Sequence, residues 1–343
     1  MQRLSWTLRF VAVFLLLGCG DDDSPPQDAG HHTDAQQDAT HLDARTEVDA
    51  QAPPDAATGH ADAALTDATA PFDATADTAP ATPIGSAGCG LASPATGQLT
   101  LTVGSDTLEY LVTIPANYDP MRPYPLGFGL HGANRTHTNC HDGDCAGFRT
   151  VMRNEAILIY TRSVSAGWQD SNDVRDRNLA LFTAVLDKML AEYCVETGRV
   201  FVAGTSSGAT FSNILGCRMG DRIRAVIPVA GGLPARNGCV GRPAALVIHG
   251  VDDPHVLFQY GQDARDAYRT ANGCSDQADP AIADLHGRVV LNRESHECAN
   301  YRDCDTGLPV RWCEHSEGGY DDSTHGWPSF GGAEIWDFVS ALP

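Results

Sequence analysis

The stretch Val200-Phe201-Val202-Ala203-Gly204-Thr205-Ser206-Ser207-Gly208 constrains the fold more than any other part of the chain. Its apolar, β-rich start reads as a buried strand, and a helix-compatible segment follows Gly208. Between them G-T-S-S-G must turn sharply. Glycines on either side permit the bend and a close helix approach, and a serine at the apex projects from the sheet edge. Ser206 is therefore the candidate nucleophile. A Gly/Ser-rich loop matching so short a pattern by chance would not need a strand before it and an amphipathic run after it.

Other segments supply the rest of such a sheet. Gln98 to Val103 and Thr107 to Ile114 flank Gly104-Ser105-Asp106 and read as a hairpin. Leu126 to Leu130, Ala156 to Tyr160, Ala225 to Val229 and Ala244 to Ile248 are short apolar strands. Leu179, Leu181, Phe182, Val185, Leu186, Met189 and Leu190 recur with helical spacing, which predicts an amphipathic helix over roughly Arg175 to Tyr193. Glu334 to Leu342 reads as a closing helix. Strands alternating with helices imply a mostly parallel α/β sheet covered on both faces, with a site at the carboxyl ends of its strands.

An alcohol is a weak nucleophile near neutral pH unless a base takes its proton. Ala244 to Ile248 runs into His249-Gly250-Val251-Asp252-Asp253-Pro254-His255, so Asp252 and Asp253 both follow a buried strand and are candidate acids. Thr324-His325-Gly326-Trp327-Pro328 places His325 in a late, Gly/Pro-punctuated loop before the last helix, which makes it the candidate base. His286, His296 and His315 lack that context. His131 and His249, each before a glycine at a strand end, read as structural, their rings bonding the loop backbone.

The amino terminus sets the compartment. Arg3 and Arg9 precede or flank the apolar run Phe10 to Leu17, too short to span a bilayer, so residues 1–18 read as a secretory signal. Leu16-Leu17-Gly18-Cys19 is similar to a bacterial lipobox, which implies lipidation of Cys19 and anchoring to the cell envelope. From Cys19 to Ile84 the chain turns to Asp-Ala-Thr repeats that cannot bury enough apolar surface to fold, and we expect a disordered tether. The net charge of −21 divides into +2 before Gly20, −13 from there to Ile84, and −10 over the catalytic stretch 85–343. That acidic balance argues against nucleic acid as a partner. The last 259 residues suit one large domain.

Apart from Cys19 there are ten cysteines, an even number that fits disulfides in an oxidising compartment. Cys140 to Cys145 brackets His141 and two aspartates, but a local disulfide loop accounts for it better than a metal site. We expect Cys217 to pair with Cys239 and Cys274 with Cys304.

Residues from about Ala87 to Pro343 resemble the α/β-hydrolase group of secreted feruloyl esterases, acetyl xylan esterases and polyhydroxybutyrate depolymerases. The matching pieces are Gly88-Cys89-Gly90, Leu130-His131-Gly132, Gly167-Trp168-Gln169-Asp170 and the run Arg199 to Gly208. Pro228-Val229-Ala230-Gly231, H-G-x-x-D (249 to 253), Asn272-Gly273-Cys274 and H-G-W-P (325 to 328) continue the match. The resemblance implies Ser206 as nucleophile, Asp253 as acid, His325 as base, and backbone N–H groups of Ala133 and Ser207 as oxyanion donors. Pro254 independently biases Asp253 toward an extended conformation. Trp168 and Trp327 are candidates to line an aromatic-acyl pocket. Ala209 replaces a frequent glycine, and Tyr320-Asp321-Asp322-Ser323 is a longer, more acidic approach to His325 than the family pattern.

These readings converge on a monomeric, secreted or surface-anchored serine carboxylic ester hydrolase of the feruloyl or acetyl xylan esterase kind.

 The substrate is an ester of plant cell-wall polysaccharide or a polyester, with no metal and no organic cofactor, and the membrane is met through the lipid anchor alone. Two alternatives are an extracellular polyhydroxyalkanoate depolymerase and, from another class, an inactive polysaccharide-binding module.

Overall fold

The computed structural model describes residues 84–92, 94–234, 236, 238–279, 296–317 and 324–343. The signal, Cys19, the tether up to residue 83, His286 and the Tyr320 to Ser323 approach lie outside the described residues. The chain divides into two units, Met1–Ala74 and Thr75–Pro343, and every described residue belongs to the second. Among the described residues no helix is long and apolar enough to cross a membrane.

Ten strands form one sheet among the described residues, in the order β1-β2-β4-β3-β5-β6-β7-β10-β9-β8. The hairpin of β1 (Gly97–Val103) and β2 (Asp106–Thr113) lies at one edge. Alternation in β2 buries Leu108, Tyr110 and Val112 on one face. The centre is parallel: β4 (Ile157–Thr161), β3 (Tyr124–Leu130), β5 (Val195–Thr205), β6 (Ala225–Val229), β7 (Ala244–Gly250) and β10 (Val310–His315). At the far edge β9 (His296–Tyr301) and β8 (Ala278–Asp279) run antiparallel. The α/β-hydrolase fold expected from the elbow is the fold observed.

Central strands are apolar on both faces because helices cover both. Val200 and Val202 of β5 join one core with Leu181, Phe182, Val185, Leu186 and Met189 of α3 (Asn172–Glu192). Phe201 and Ala203, facing the other way, join a second core with Phe148 and Met152 of α2 (Phe148–Met152) and with Ile335 and Phe338 of α6 (Gly331–Ser340). Helix α3 begins three residues before the apolar spacing predicts, because the Ser171 hydroxyl accepts the Val174 amide as an N-cap.

Two elements are not anticipated by apolar patterning. In α5 (Phe258–Ala271) the buried face is Gly261, Gln262, Ala264, Arg265 and Tyr268, so polar residues occupy positions where a core stripe would be sought. Arg265 is buried over the Trp312 ring, 5.2 Å from its centroid, and bonds Asp266. In β10, Arg311 interrupts the apolar run but pairs with Glu334 and Asp337 of α6.

Five disulfides tie the unit together: Cys89–Cys194, Cys140–Cys145, Cys217–Cys239, Cys274–Cys304 and Cys298–Cys313. Both expected long-range pairs and the local loop beside α1 (His137–Asp142) are among them.

Candidate active site

The elbow folds as its glycines require. A Cβ on Gly204 would lie 2.3 Å from the Gly208 carbonyl oxygen, and one on Gly208 would lie 2.6 Å from the Leu130 and His131 carbonyl oxygens. Only hydrogen fits at either place, so α4 (Ser207–Arg218) starts hard against the end of β3. Ser206 is held between them at φ 55° and ψ −118°, a backbone region costly for any residue with a side chain. Its amide donates to Val229 O at 3.0 Å and its carbonyl accepts the Thr210 amide at 3.0 Å, which lock the strained geometry from both sides.

Asp253 leaves β7 three residues after the strand ends, with its side chain fully buried. Its Oδ1 accepts the amides of His255 at 2.8 Å and Val256 at 2.9 Å, and its Oδ2 lies 2.8 Å from Nδ1 of His325. Burial opposes the charge, but the hydrogen bond from His325 and the two amides outweigh it and hold the carboxyl below its ordinary range. Asp252 is exposed, so of the two candidate acids Asp253 is the one brought to the histidine. His249 steadies the same loop: its Nε2–H donates to Val256 O at 2.9 Å, and α5 approaches so closely that a Cβ on Gly261 would lie 2.3 Å from its Nδ1.

His131 organises the loop after β3. The Ser163 amide donates to its Nε2 at 3.2 Å, so the ring proton sits on Nδ1, which donates to Gly132 O at 2.8 Å. Carbonyl and N–H of one trans peptide point in opposite directions, so this grip on Gly132 O sets the direction of the Ala133 amide. Burial lowers the His131 pKa to about 4, which keeps the ring in this neutral form. The Asn134 amide donates to Ala166 O at 2.8 Å and pins the other end of the turn. Ser207 heads α4, where first-turn amides have no acceptor within the helix.

Trp168 is not placed as an acyl-pocket residue would be. It is 1% exposed, its Nε1–H donates to His131 O at 2.8 Å, and its ring stacks on Phe211. Its amide donates to Ser207 Oγ at 2.9 Å, so it braces elbow and loop from beneath. Trp327 packs against the second core near Phe148 and does not line the cleft.

The cleft itself, about 410 Å³, is lined by Ser206, Thr205, His325, His255 and the turn from Gly132 to Arg135. Ser206, His325 and the Ala133 amide thus share one cavity, with Asp253 behind the histidine. Sequence reasoning passed over Arg135, Asn134 and His255. His255 lies edge-on to His325 at 4.9 Å between centroids, and its place two residues after Asp253 is the only signal that could have found it. Cys298, Cys313 and Glu334 cluster at metal-ligand distances, but the two sulfurs form a disulfide and offer no thiolate.

The fold and this cleft define an α/β-hydrolase that acts on carboxylic esters. No family model matches the chain. Among curated proteins it is 32% identical to feruloyl esterase C of Emericella nidulans over 205 residues, 56% of this chain and 74% of that protein. Feruloyl esterase D of Neurospora crassa is 26% identical over 274 residues, 74% of this chain and 90% of that one. Among solved structures, acetyl xylan esterase from Aspergillus awamori superposes with a TM-score of 0.50 at 14% identity, over 71% of this chain and 99% of that one, which supports the fold alone. The chain belongs to the feruloyl esterase family, and it is a carboxylic ester hydrolase.

Proposed function

We propose that this esterase cleaves feruloyl or acetyl esters of plant cell-wall polysaccharide by a serine mechanism. The observation that carries the reading is the His325–Asp253 hydrogen bond opening onto the cleft that holds the strained Ser206. Ser206 Oγ attacks the ester carbonyl while His325 Nε2 takes its proton, and Asp253 fixes the ring's tautomer and stabilises the imidazolium. The tetrahedral oxyanion is bound by the Ala133 and Ser207 amides, each worth on the order of 3 kcal/mol in comparable sites. His325 returns the proton to the leaving alcohol, and water activated by the same histidine releases the acid and restores Ser206. The test is one substrate panel of methyl ferulate, acetylated xylan, short p-nitrophenyl esters and polyhydroxybutyrate film. Turnover of methyl ferulate or acetylated xylan is expected; turnover of the polyester film alone would replace this reading with a depolymerase.

The same reading makes 85–343 the catalytic unit, exported and held to the cell envelope by residues 19–84 and a lipid on Cys19. The five disulfides fit an oxidising compartment. Cys19→Ser should move the protein from the membrane fraction to the soluble one, and unchanged membrane association would reject the anchor.

A further inference from the structure

A second groove, larger than the cleft at about 610 Å³, opens beside it between the β1–β2 hairpin and the segment after β4. Arg135 lines both cavities, so the two adjoin at that residue, beside the turn that carries Ala133. The groove is polar in a particular way. Thr100, Thr107, Thr136 and Ser165 are among its lining residues, the last three with hydroxyls bonded to Thr102, Asn139 and Asp170, and among the described residues no aromatic ring lines it. Arg162 bonds Glu109 at 2.6 Å and Arg177 bonds Asp106 at 2.8 Å, which holds guanidinium donors and carboxylate acceptors in fixed positions along the wall. Fixed donors beside fixed acceptors suit a ligand whose groups both donate and accept, as sugar hydroxyls do, and suit an aromatic acyl group poorly.

We propose that this groove binds the carbohydrate alcohol of the ester, so that the sugar chain runs from the reacting carbonyl over Asn134 and Arg135 toward Thr100. The inference rests on the esterase reading above and adds the site that selects a glycan over a simple alcohol. It is tested with two esters that share an acyl group and differ in the alcohol: methyl ferulate and a feruloylated xylo-oligosaccharide. One variant removes a wall, Arg162→Ala, and one fills the groove from an exposed strand position where aromatic residues are well tolerated, Thr100→Trp. The quotient of kcat/KM for the oligosaccharide over that for methyl ferulate should fall at least fivefold in both, with the loss mainly in KM for the oligosaccharide. An unchanged quotient in a folded Thr100→Trp variant would overturn the groove assignment while leaving the esterase reading intact. A wild-type protein inactive on both esters would overturn the esterase reading, and the inference with it.

Discussion

The Nδ1 atom of His325 lies 2.8 Å from Oδ2 of Asp253, a residue 72 positions earlier in the chain. Adjacent Asp252 is exposed, whereas the Asp253 side chain is buried. Asp253→Asn should therefore keep the fold but lower kcat by as much as about 10⁴-fold, because an amide at this place favours the wrong imidazole tautomer. Asp252→Asn should change kcat little. Steady-state kinetics of the two purified variants decide the register, and collapse of activity in Asp252→Asn alone would reverse it.

His131 acts at one remove, by aiming the Ala133 amide. His131→Ala should lower kcat on a small ester by about 10²-fold, a loss comparable to that of one oxyanion donor, with little change in KM. His131→Asn, whose side-chain amide can still donate to Gly132 O, should recover part of kcat. Equal kcat in both variants would show that the ring serves packing alone.

Acid stability should report the buried histidines. Burial lowers His131 and His315 to about 4 each, whereas an unfolded chain titrates near an ordinary value of about 6.5. Between those values the unfolded state binds protons that the native state refuses, so stability is full above about pH 6.5 and falls as pH drops toward 4. Each histidine contributes up to about 3 kcal/mol to that fall. Urea midpoints measured from pH 7 to pH 4 should decline, and His315→Phe should flatten the decline. A midpoint independent of pH across this window would contradict the burial of both rings.

The disulfide Cys217–Cys239 joins the end of α4 to the segment before β7, across a sequence separation of 22 residues. Replacing both cysteines by serine should cost about 2 to 4 kcal/mol. Thermal melts of the oxidised proteins measure it, and peptide mapping that found these thiols free in the wild type would remove the basis of the expectation.

Ser206 and His325 are legible in the sequence because punctuation marks them: glycines that only a tight elbow needs, and a late loop bounded by Gly326 and Pro328. The strands that carry them are legible too, since apolar runs buried on both faces resemble little else. Trp168 misleads for a physical reason. An indole beside a catalytic motif serves equally as ligand platform or as brace, and only its 2.8 Å bond to His131 O and its stacking on Phe211 distinguish the two. Helix α5 is hidden because its buried face includes Gln262 and Arg265, and Arg265 is accommodated there by the Trp312 ring and by its bond to Asp266. The groove beyond Arg135 is assembled from segments far apart in sequence, so no local pattern announces it.

The central claim is that Ser206 becomes acylated, and trapping the acyl-enzyme tests it most directly. The protein is mixed with excess p-nitrophenyl acetate, quenched in acid within the first turnovers, and mapped by peptide mass spectrometry. One acetyl group on the peptide containing Ser206, absent from Ser206→Ala, is the predicted result. An acetyl group carried by another residue, or full esterase activity in a folded Ser206→Ala variant, would contradict it.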